Sequence, residues 1–384
     1  MPGSNASVTV ARSVEEVERL RTAWQGLDWS RIDADVDFYL TVLRSRENVV
    51  RPHVAVVRRD DAVEAMAVAR LEDVELTSSV GYRAVHRPRV RAITLVHGGI
   101  PGGIPPEAVA ALVGELRAAL ARREADVLVL PSLRTGGPAH EAALSGPSLP
   151  REQGEPRTHR RLCLPASLAD LMCAKSTKTR EGVKRYRKRL VNDHGDGLSV
   201  RRLQGVEDAE RVFRDLPAVA SKTYQHGLGV AFAATEEQRA LTLLGLERRW
   251  FRAYVLYLDG DPIAFWPGFA YRGTFFIGTP GYDPALGEYR IGQHLMLEMI
   301  DDLCRDGEIS YLDYGFGDAE YKRRFGDESW EEADLLLYAP TARNRRIRAT
   351  RQAVSVSVRT ARRMLGDDRQ ARLKQAWRRR RAAV

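Results

Sequence analysis

The sequence has 384 residues, of which 44% are hydrophobic and 29% charged, and its formal net charge is +9. This length is enough for two domains of ordinary size, and the apolar content is ordinary for a soluble globular protein. No apolar run approaches the ~20 residues that a membrane-spanning helix needs, and residues 1–30 carry charges throughout, unlike a signal peptide. We therefore expect a cytoplasmic protein.

The chemistry-bearing residue types exclude several classes of protein. The chain contains three cysteines without a CxxC pair and eight scattered histidines. Buried free thiols in a reducing compartment are expected. No group has the spacing of metal ligands, so we expect no metal. The absence of a GxSxG motif and of a P-loop argues against a serine hydrolase and an NTPase.

The positive charge is concentrated at the C-terminus. Residues 341–384 contain fifteen Lys and Arg and two Asp, so they carry +13 and the rest of the chain carries −4. Two arginine-rich helices are predicted there, Ala342–Leu365 and Arg369–Arg381. Basic amphipathic helices can lie on an anionic membrane surface or contact RNA phosphates. A solvated tail is the alternative, and the membrane contact would make the protein peripheral to the inner face of the membrane.

Residues 1–164 are predicted to form an α/β unit, followed by a second one over residues 165–340. The strands predicted in the first unit are Ser4–Val10, Pro52–Arg58, Ala62–Leu71, Arg91–His97, Asp126–Leu130 and Arg157–Leu164. Its predicted helices are Ser13–Gly26, which starts with a capping box, Phe38–Leu43 and Glu107–Arg123. Residues 135–154 are rich in Gly, Pro and Ser and are predicted to be a solvent loop.

The second unit begins with a basic helix. Residues 167–191 carry eight Lys and Arg and could clamp an anionic ligand, such as a coenzyme 3′-phosphate, a nucleotide-sugar or a phospholipid head group, or could be a solvated face. The helices Val206–Gln225 and Thr235–Trp250 follow. The apolar, glycine-rich link between them, His226–Phe232, is a candidate wall of an acceptor pocket.

The stretch from Phe251 to Arg324 organises the second unit. Its predicted elements are the strands Phe251–Leu258, Pro262–Ala270 and Thr274–Thr279, an amphipathic helix from Tyr289 to Asp306, the strand Ile309–Tyr314 and the helix Ala319–Phe325. The first unit has the same order of hairpin, glycine-rich loop, helix and short strand. We therefore predict a duplicated fold, two similar α/β units in tandem.

The start of the helix near Tyr289 is a candidate phosphate site. A helix N-terminus has free N–H groups and a positive dipole end, and Gly292 lets a pyrophosphate approach the backbone. The preceding predicted strand, Thr274–Thr279, contains Ile277 and Gly278 and could offer N–H groups to a thioester oxygen. This pattern predicts a coenzyme A site; a helix that merely starts after a loop is the alternative.

Three segments carry a resemblance to a known family. They are Gly281–Pro284 with Tyr289–Leu295, Asp313–Asp318 with Tyr321-Lys322, and Lys222–Leu228 with Val230–Phe232. In order and spacing they resemble the FemAB-like branch of the Gcn5-related N-acetyltransferase (GNAT) superfamily, in particular the acetyltransferase domain found in cellulose- and exopolysaccharide-biosynthesis proteins. The sequence departs from that family at Arg290-Ile291, where Ser-Pro is usual.

The resemblance implies a tandem GNAT fold and a transferase that uses acetyl-CoA or another acyl-CoA. The cofactor-binding residues would be Ile277, Gly278, Ile291, Gly292, Gln293, His294 and Lys322. The acceptor would be an amine of a small molecule, such as an amino-sugar or another polysaccharide precursor. Two alternatives stay open: an aminoacyl-tRNA-dependent transferase, as in the peptidoglycan-bridge members of the group, and a non-catalytic protein that binds an anionic partner.

Amide formation from a thioester needs a neutral amine and a group that takes its proton. Asp313, at the end of a strand, is the first candidate for the base, and a turn-capping carboxylate is the alternative. Asp318 is a second candidate, although it also suits the N-cap of the following helix. Tyr321 could protonate the leaving thiolate. Lys322 could bind a phosphate or pair with either aspartate, and His294 is predicted to be packed or to face the pyrophosphate.

Overall fold

The structure is a computed structural model that describes residues 6–81, 83–222, 235–317, 319–358 and 360. Its strands are β1 (Ala6–Ala11), β2 (Val49–Arg59), β3 (Ala62–Glu75), β4 (Ser78–Val80), β5 (Arg83–His86), β6 (Arg89–Leu95), β7 (Val127–Arg134), β8 (Arg151–Gln153), β9 (Arg157–Cys163), β10 (Leu198–Leu203), β11 (Phe251–Leu258), β12 (Asp261–Tyr271), β13 (Thr274–Ile277), β14 (Gly281–Tyr282), β15 (Tyr311–Phe316) and β16 (Glu328–Tyr338). Its helices are α1 (Val14–Arg19), α2 (Arg21–Gln25), α3 (Val36–Ser45), α4 (Pro106–Ala121), α5 (Pro138–Leu144), α6 (Leu168–Cys173), α7 (Thr177–His194), α8 (Ala209–Ser221), α9 (Glu236–Glu247), α10 (Ile291–Arg305), α11 (Glu320–Phe325) and α12 (342–358).

The mixed α/β class is confirmed, but several elements differ from those predicted. The basic helix predicted over residues 167–191 is two helices, because the hydroxyl of Ser176 accepts from the amide of Thr179 and starts a new helix. Strands β10 and β16 were not predicted, since their arginines and acidic residues interrupt the apolar alternation. Helix α5 lies inside the segment predicted to be a loop.

The chain divides into two compact units. Among the described residues, those up to Arg157 together with those from Glu331 onward belong to the first, and those of Thr158–Trp330 belong to the second. The prediction put the boundary at 164/165 and assigned residues 331–340 to the second unit. The structure assigns them to the first because β16 pairs antiparallel with β7.

In the first unit, the strands lie in the order β1-β2-β3-β6-β7-β16. Strands β6 and β7 are parallel, and α4 connects them. Leu112, Val113 and Leu116 of α4 are fully buried in the core against the sheet.

Helix α12 packs on the first unit and uses part of the basic charge of the C-terminal segment. Arg343 pairs with Asp126 at 2.9 Å, Arg351 pairs with Glu152 at 2.9 Å, and Ile347 is buried. These arginines therefore serve the fold. The predicted helix Arg369–Arg381 lies outside the described residues.

In the second unit, the strands lie in the order β9-β15-β13-β12-β11-β10, with β14 paired to β12. Only β13 and β15 are parallel in this order, and α10 connects them. Helix α10 packs on one face of the sheet, with Leu295, Met299 and Leu303 fully buried. Helices α8 and α9 pack on the opposite face.

Both units contain the same order of elements. An antiparallel hairpin precedes a strand, a helix and a second strand parallel to the first: β2-β3-β6-α4-β7 in one unit and β11-β12-β13-α10-β15 in the other. The predicted duplication of the α/β fold is thus present in the element order. No helix in the described ranges is long and apolar enough to cross a membrane.

The contribution of a valine to the stability of the second unit should depend on how deeply its side chain is buried. Val255 of β11 is completely buried, whereas Val200 of the neighbouring β10 is 39% exposed. Val255→Ala is expected to lower the free energy of unfolding by about 2 kcal/mol, because it removes apolar contact and leaves a cavity. The matched Val200→Ala should change it by less than about 0.5 kcal/mol. Urea denaturation measures both, and equal effects would contradict this description of the core.

Candidate functional site

The first amides of α10 are available to a ligand. Arg290 precedes the helix in the left-handed conformation, with φ of 52°, and its carbonyl accepts from the amides of Gln293 and His294 at 2.9 and 3.0 Å. The amides of Ile291 and Gly292 have no acceptor among the described residues. Unpaired amides at the positive end of a helix favour a bound anion.

Gly292 keeps the backbone at this helix start accessible. A Cβ atom at this position would lie 3.4 Å from the ring of Tyr282. The carbonyl of Gly292 accepts from the indole of Trp266 on β12 at 2.8 Å, which fastens the first turn of α10 to the sheet. The first turn of α10 is therefore held in place, and a side chain at Gly292 would meet the Tyr282 ring at ordinary contact distance.

A cleft of about 190 Å³ lies between the helix pair α6–α7 and the first two turns of α10. Four of its lining side chains are basic, namely Arg180, Lys184, Arg187 and Arg290. Glu298 is the one acidic residue in the lining, and it pairs with Arg187 at 3.0 Å. The cleft is thus positive next to the unpaired amides.

His294 contributes no permanent charge to this cleft. Its side chain is 14% exposed, and its Nδ1 lies 4.0 Å from Glu298. Burial lowers its pKa below the usual value, an effect that the carboxylate of Glu298 only partly opposes. The imidazole is therefore neutral at pH 7 and suits the packed position that the sequence predicted.

The parallel ladder between β13 and β15 ends early. The last partners are Phe276 and Asp313, whereas β15 continues to Phe316 paired only with β9. Lys322 of α11 donates from Nζ to the carbonyls of Tyr314 and Phe316 at 2.6 and 2.7 Å and holds this end of β15. Where two neighbouring strands stop pairing, an extended ligand can bind between them.

Two predicted binding groups are already engaged in the structure. Burial lowers the pKa of Lys322, whose ammonium is bound by the two carbonyls. The amide of Gly278 donates to the carbonyl of Pro267 at 2.7 Å and so is not free for a thioester oxygen. Ile277, beside it, packs its side chain on the α10 core.

Asp313 forms a buried pair with a residue that the sequence analysis did not consider. Its Oδ1 lies 2.8 Å from Nε2 of His159 on β9 and accepts from the amide of Gly315 at 2.7 Å. The side chains are 6% and 1% exposed. His159 stacks on Trp330, with ring centroids 4.4 Å apart. A lone histidine in an arginine-rich strand gave no signal, because the pairing of β9 with β15 creates the contact.

Asp313 and Tyr314 point to opposite faces of the sheet. Tyr314 and Leu312 belong to the α10 core, and alternation puts Asp313 on the other face. Its strand partner Phe276 lies opposite Phe269, which packs on the α8–α9 core. Asp313 thus approaches the end of the parallel ladder from the side opposite α10.

Three aromatic side chains pack together on the face of the sheet that α10 covers. Tyr321 lies 5.6 Å from Trp266 and 5.9 Å from Tyr314, measured between ring centroids. Burial raises the pKa of Tyr321 to about 12, so its hydroxyl keeps its proton at neutral pH. Tyr321 and Gly292 are joined through Trp266 and lie on one side of the sheet.

The other predicted residues fall into two groups. Ile291, Gly292, Gln293 and His294 form the first turn of α10, whereas the sequence predicted the helix to start at Tyr289, which ends the preceding 3-10 turn. Asp318 and the link His226–Phe232 lie outside the described residues.

Two of the motifs that carried the family resemblance meet in space. Lys222, at the end of α8, donates from Nζ to Asp283 at 3.0 Å. Asp283 also accepts from the amide of Ala285 at 2.9 Å and so caps the 3-10 turn Pro284–Tyr289 that leads into α10. The ion pair therefore links the end of α8 to the turn that leads into α10.

The His159–Asp313 pair should be energetically coupled. His159→Gln and Asp313→Asn are each expected to lower the free energy of unfolding, because each leaves a buried polar partner unsatisfied. In the double variant the loss should be smaller than the sum of the two by about 0.5–3 kcal/mol. A denaturant double-mutant cycle gives this coupling, with Val200→Ala as the reference for an uncoupled change. Strict additivity would mean that the contact contributes nothing.

The chain is similar to known proteins in sequence over one domain and in fold over most of its length. Residues 177–323 match the family model of the acetyltransferase (GNAT) domain. No curated protein sequence matches the chain. Among solved structures, FemX is similar with a TM-score of 0.57 and 11% identity over 83% of this chain and 96% of FemX.

Two further solved structures are similar to this chain. A conserved protein of unknown function from Bacteroides thetaiotaomicron VPI-5482 has a TM-score of 0.55 and 13% identity over 86% of this chain and 100% of its own. A tandem GNAT protein from the clavulanic acid biosynthesis pathway has a TM-score of 0.47 and 14% identity over 88% of this chain and 100% of its own. The matched domain contains α7 to α10 and β15, whereas β9 and α6, which also contribute to the site, precede it. The resemblance found in the sequence is therefore confirmed: residues 177–323 match the GNAT acetyltransferase domain, and the chain shares the fold of FemX.

Proposed function

We propose that the protein is an N-acyltransferase that moves an acyl group from acyl-CoA, with acetyl-CoA as the simplest donor, to an amine of an amino-sugar or a similar cell-envelope precursor. One observation carries this proposal: the unpaired amides at the start of α10 lie beside a parallel strand pair whose ladder ends at Phe276–Asp313. A pyrophosphate suits the first feature, and an extended thioester arm suits the second.

On the donor side, the amides of Ile291 and Gly292 would hold the pyrophosphate, with Gln293 and His294 beside it. Trp266 fixes that turn relative to β12. Lys322 keeps the end of β15 in place by binding two of its carbonyls, so its role is positioning and not phosphate binding. Holding the two reactants in line is a large part of catalysis of such a transfer.

On the acceptor side, Asp313 would take the proton of the attacking amine from the face opposite α10. His159 and the amide of Gly315 orient its carboxylate. Tyr321, on the α10 side and protonated at neutral pH, would donate a proton to the departing thiolate. The base and the acid then lie on the two sides of the same gap between strands, and Asp318 stays a second candidate base.

The acceptor class rests on the resemblance to acetyltransferase domains of polysaccharide-biosynthesis proteins. Transfer from aminoacyl-tRNA is a second candidate function, favoured by one feature of α7. Lys178, Lys184 and Lys188 are exposed on that helix and form no ion pair within the described residues. A tRNA, another RNA or an anionic membrane surface could bind such a face, and residues 361–384 could add to it.

Binding of acetyl-CoA tests the donor site. Gly292→Glu would put a carboxylate where the pyrophosphate is expected, and we expect a micromolar dissociation constant to rise at least about 100-fold through charge repulsion. Isothermal titration calorimetry measures this change, and circular dichroism checks the fold.

Gly307→Glu is the matched control for that variant. It introduces the same side chain after the other end of α10, where a Cβ atom meets nothing within 4 Å. Its affinity should equal that of the wild type. Failure of the wild type to bind acetyl-CoA, with binding of aminoacyl-tRNA instead, would reject the acyl-CoA donor in favour of the second candidate.

Loss of the base tests the acceptor side. Asp313→Asn is expected to lower kcat by about 10²–10⁴-fold, since the amine then lacks a proton acceptor. The Michaelis constant for acetyl-CoA should change little, because Asp313 lies on the face opposite the donor site. Thiol release in the presence of a panel of amino-sugars and other primary amines gives both constants. An unchanged kcat would remove Asp313 from the reaction.

A further inference from the structure

We propose that the aromatic ring of Phe316 is the surface on which the ring of the acceptor sugar stacks, and that this contact selects a cyclic amino-sugar over an open-chain amine. The inference rests on the proposed function and deepens it, because it names the form of the acceptor that reaches Asp313. Phe316 is the last residue of β15, and its ring takes no part in the proton transfers proposed for Asp313 and Tyr321.

Phe316 is exposed although its backbone is held on both sides. The residue is 47% exposed. Its carbonyl accepts from Nζ of Lys322 at 2.7 Å, and the amide of the next residue, Gly317, donates to the carbonyl of Thr158 at 3.0 Å. An exposed ring on a fixed backbone offers a ligand a flat surface at little cost in conformational entropy.

A β-bulge turns Phe316 to the same face of the sheet as Asp313. Side chains alternate along a regular strand, so two residues three positions apart would face opposite sides. Here the register with β9 shifts at Tyr314, and Asp313 pairs with Arg161 while Phe316 pairs with His159. Paired residues share a face, so Phe316 lies beside the histidine that binds Asp313, opposite α10. Bulges often re-aim a side chain next to an active site.

Gly315 supplies the backbone conformation of this bulge. Its φ is 66°, in the left-handed region that favours glycine. Its amide also donates to Oδ1 of Asp313 at 2.7 Å. One residue therefore orients the candidate base and turns the following aromatic side chain to the same face.

The sheet surface on the other side of Asp313 is already filled. The guanidinium of Arg161 lies over the ring of Tyr311, 4.0 Å from its centroid, and 5.5 Å from the ring centroid of Trp330. This stack covers the face next to Asp313 in the direction of the start of β15. An acceptor therefore approaches the carboxylate from the end of the strand, where Phe316 is exposed.

The spacing suits a single hexose. The partners of Asp313 and Phe316 on β9 are two positions apart, which corresponds to roughly 7 Å along the strand. A hexose has a comparable length, so its amine can reach the carboxylate while its ring lies on the aromatic side chain. The apolar C–H face of a sugar ring can be buried against an aromatic ring, whereas an open-chain amine has no rigid face to bury.

The experiment compares two acceptors that differ in ring closure. They are D-glucosamine and its reduced open-chain form, D-glucosaminitol, assayed at a pH above the pKa of both amines so that both react in the neutral form. Thiol release from acetyl-CoA is measured for the wild type, Phe316→Leu, Phe316→Tyr and Val206→Ala. Val206 is an apolar residue of the turn before α8 and is 54% exposed. Circular dichroism checks that every variant is folded.

The wild type should have a KM for D-glucosamine at least about 5-fold below that for D-glucosaminitol, as one aromatic stacking contact implies. Phe316→Leu, whose side chain is apolar but not flat, should bring the two values close together by raising the KM for D-glucosamine. Phe316→Tyr keeps the ring and should keep the difference, as should Val206→Ala. The KM for acetyl-CoA should change little in all variants, because the donor site lies on the other face of the sheet.

Equal wild-type KM values for the two acceptors would overturn the inference and leave the acyl-CoA proposal intact. A preference for the ring that survives in Phe316→Leu would do the same, and so would acylation of open-chain amines without acylation of D-glucosamine. A loss of rate of equal size with both acceptors would make Phe316 a structural residue only. Absence of thiol release with every amine would instead reject the proposed function, and this inference with it.

Discussion

The second unit depends on the parallel pairing of β13 with β15. Parallel neighbours cannot be joined by a tight turn, so the chain must cross one face of the sheet, and here it does so as α10. That crossover brings the N-terminus of the helix back toward the carboxyl ends of both strands, the usual place for ligands in α/β sheets. The free amides of α10, the end of the ladder and the approach of Asp313 all follow from this one connection.

The site is held by polar contacts that join separate elements. Trp266 fastens the first turn of α10, Lys222 and Asp283 fix the turn that leads into it, and Lys322 clamps the end of β15. In each case a side chain from one element binds the backbone or a charge of another. Because each contact joins two elements, it defines their relative position at least as much as it stabilises them.

The basic residues fall into two groups, those that pair with other protein groups and those that form no ion pair in the described part of the chain. Arg343 and Arg351 attach α12 to the first unit, and Arg187 and Arg180 hold the walls of the cleft. Surface ion pairs of this kind contribute little each to stability, but they remove a cation from the set that an anionic ligand could use. The net charge of the chain therefore overstates how many cations an anion could use. Arg290 and Lys184 differ from the paired arginines, because both line the cleft and form no ion pair in the described part of the chain.

The sequence by itself determined the class of fold, the duplicated order of elements and the start of α10. Apolar periodicity of 2 and 3.6 residues is a local property, and Gly292 and the segment around Asp313 stand in recognisable motifs. It did not reveal β10 or β16, whose charged residues hide the alternation, and it placed the boundary between the units a few residues late.

Tertiary structure alone decided which side chains meet. His159 is separated from Asp313 by 154 positions, and only the antiparallel register of β9 and β15 brings them to 2.8 Å. The same holds for Lys222 with Asp283 and for α7 with α10, since no local pattern encodes contacts between elements distant in the chain. Residue type and spacing thus determine which helices and strands form, and long-range packing determines which side chains come together in the site.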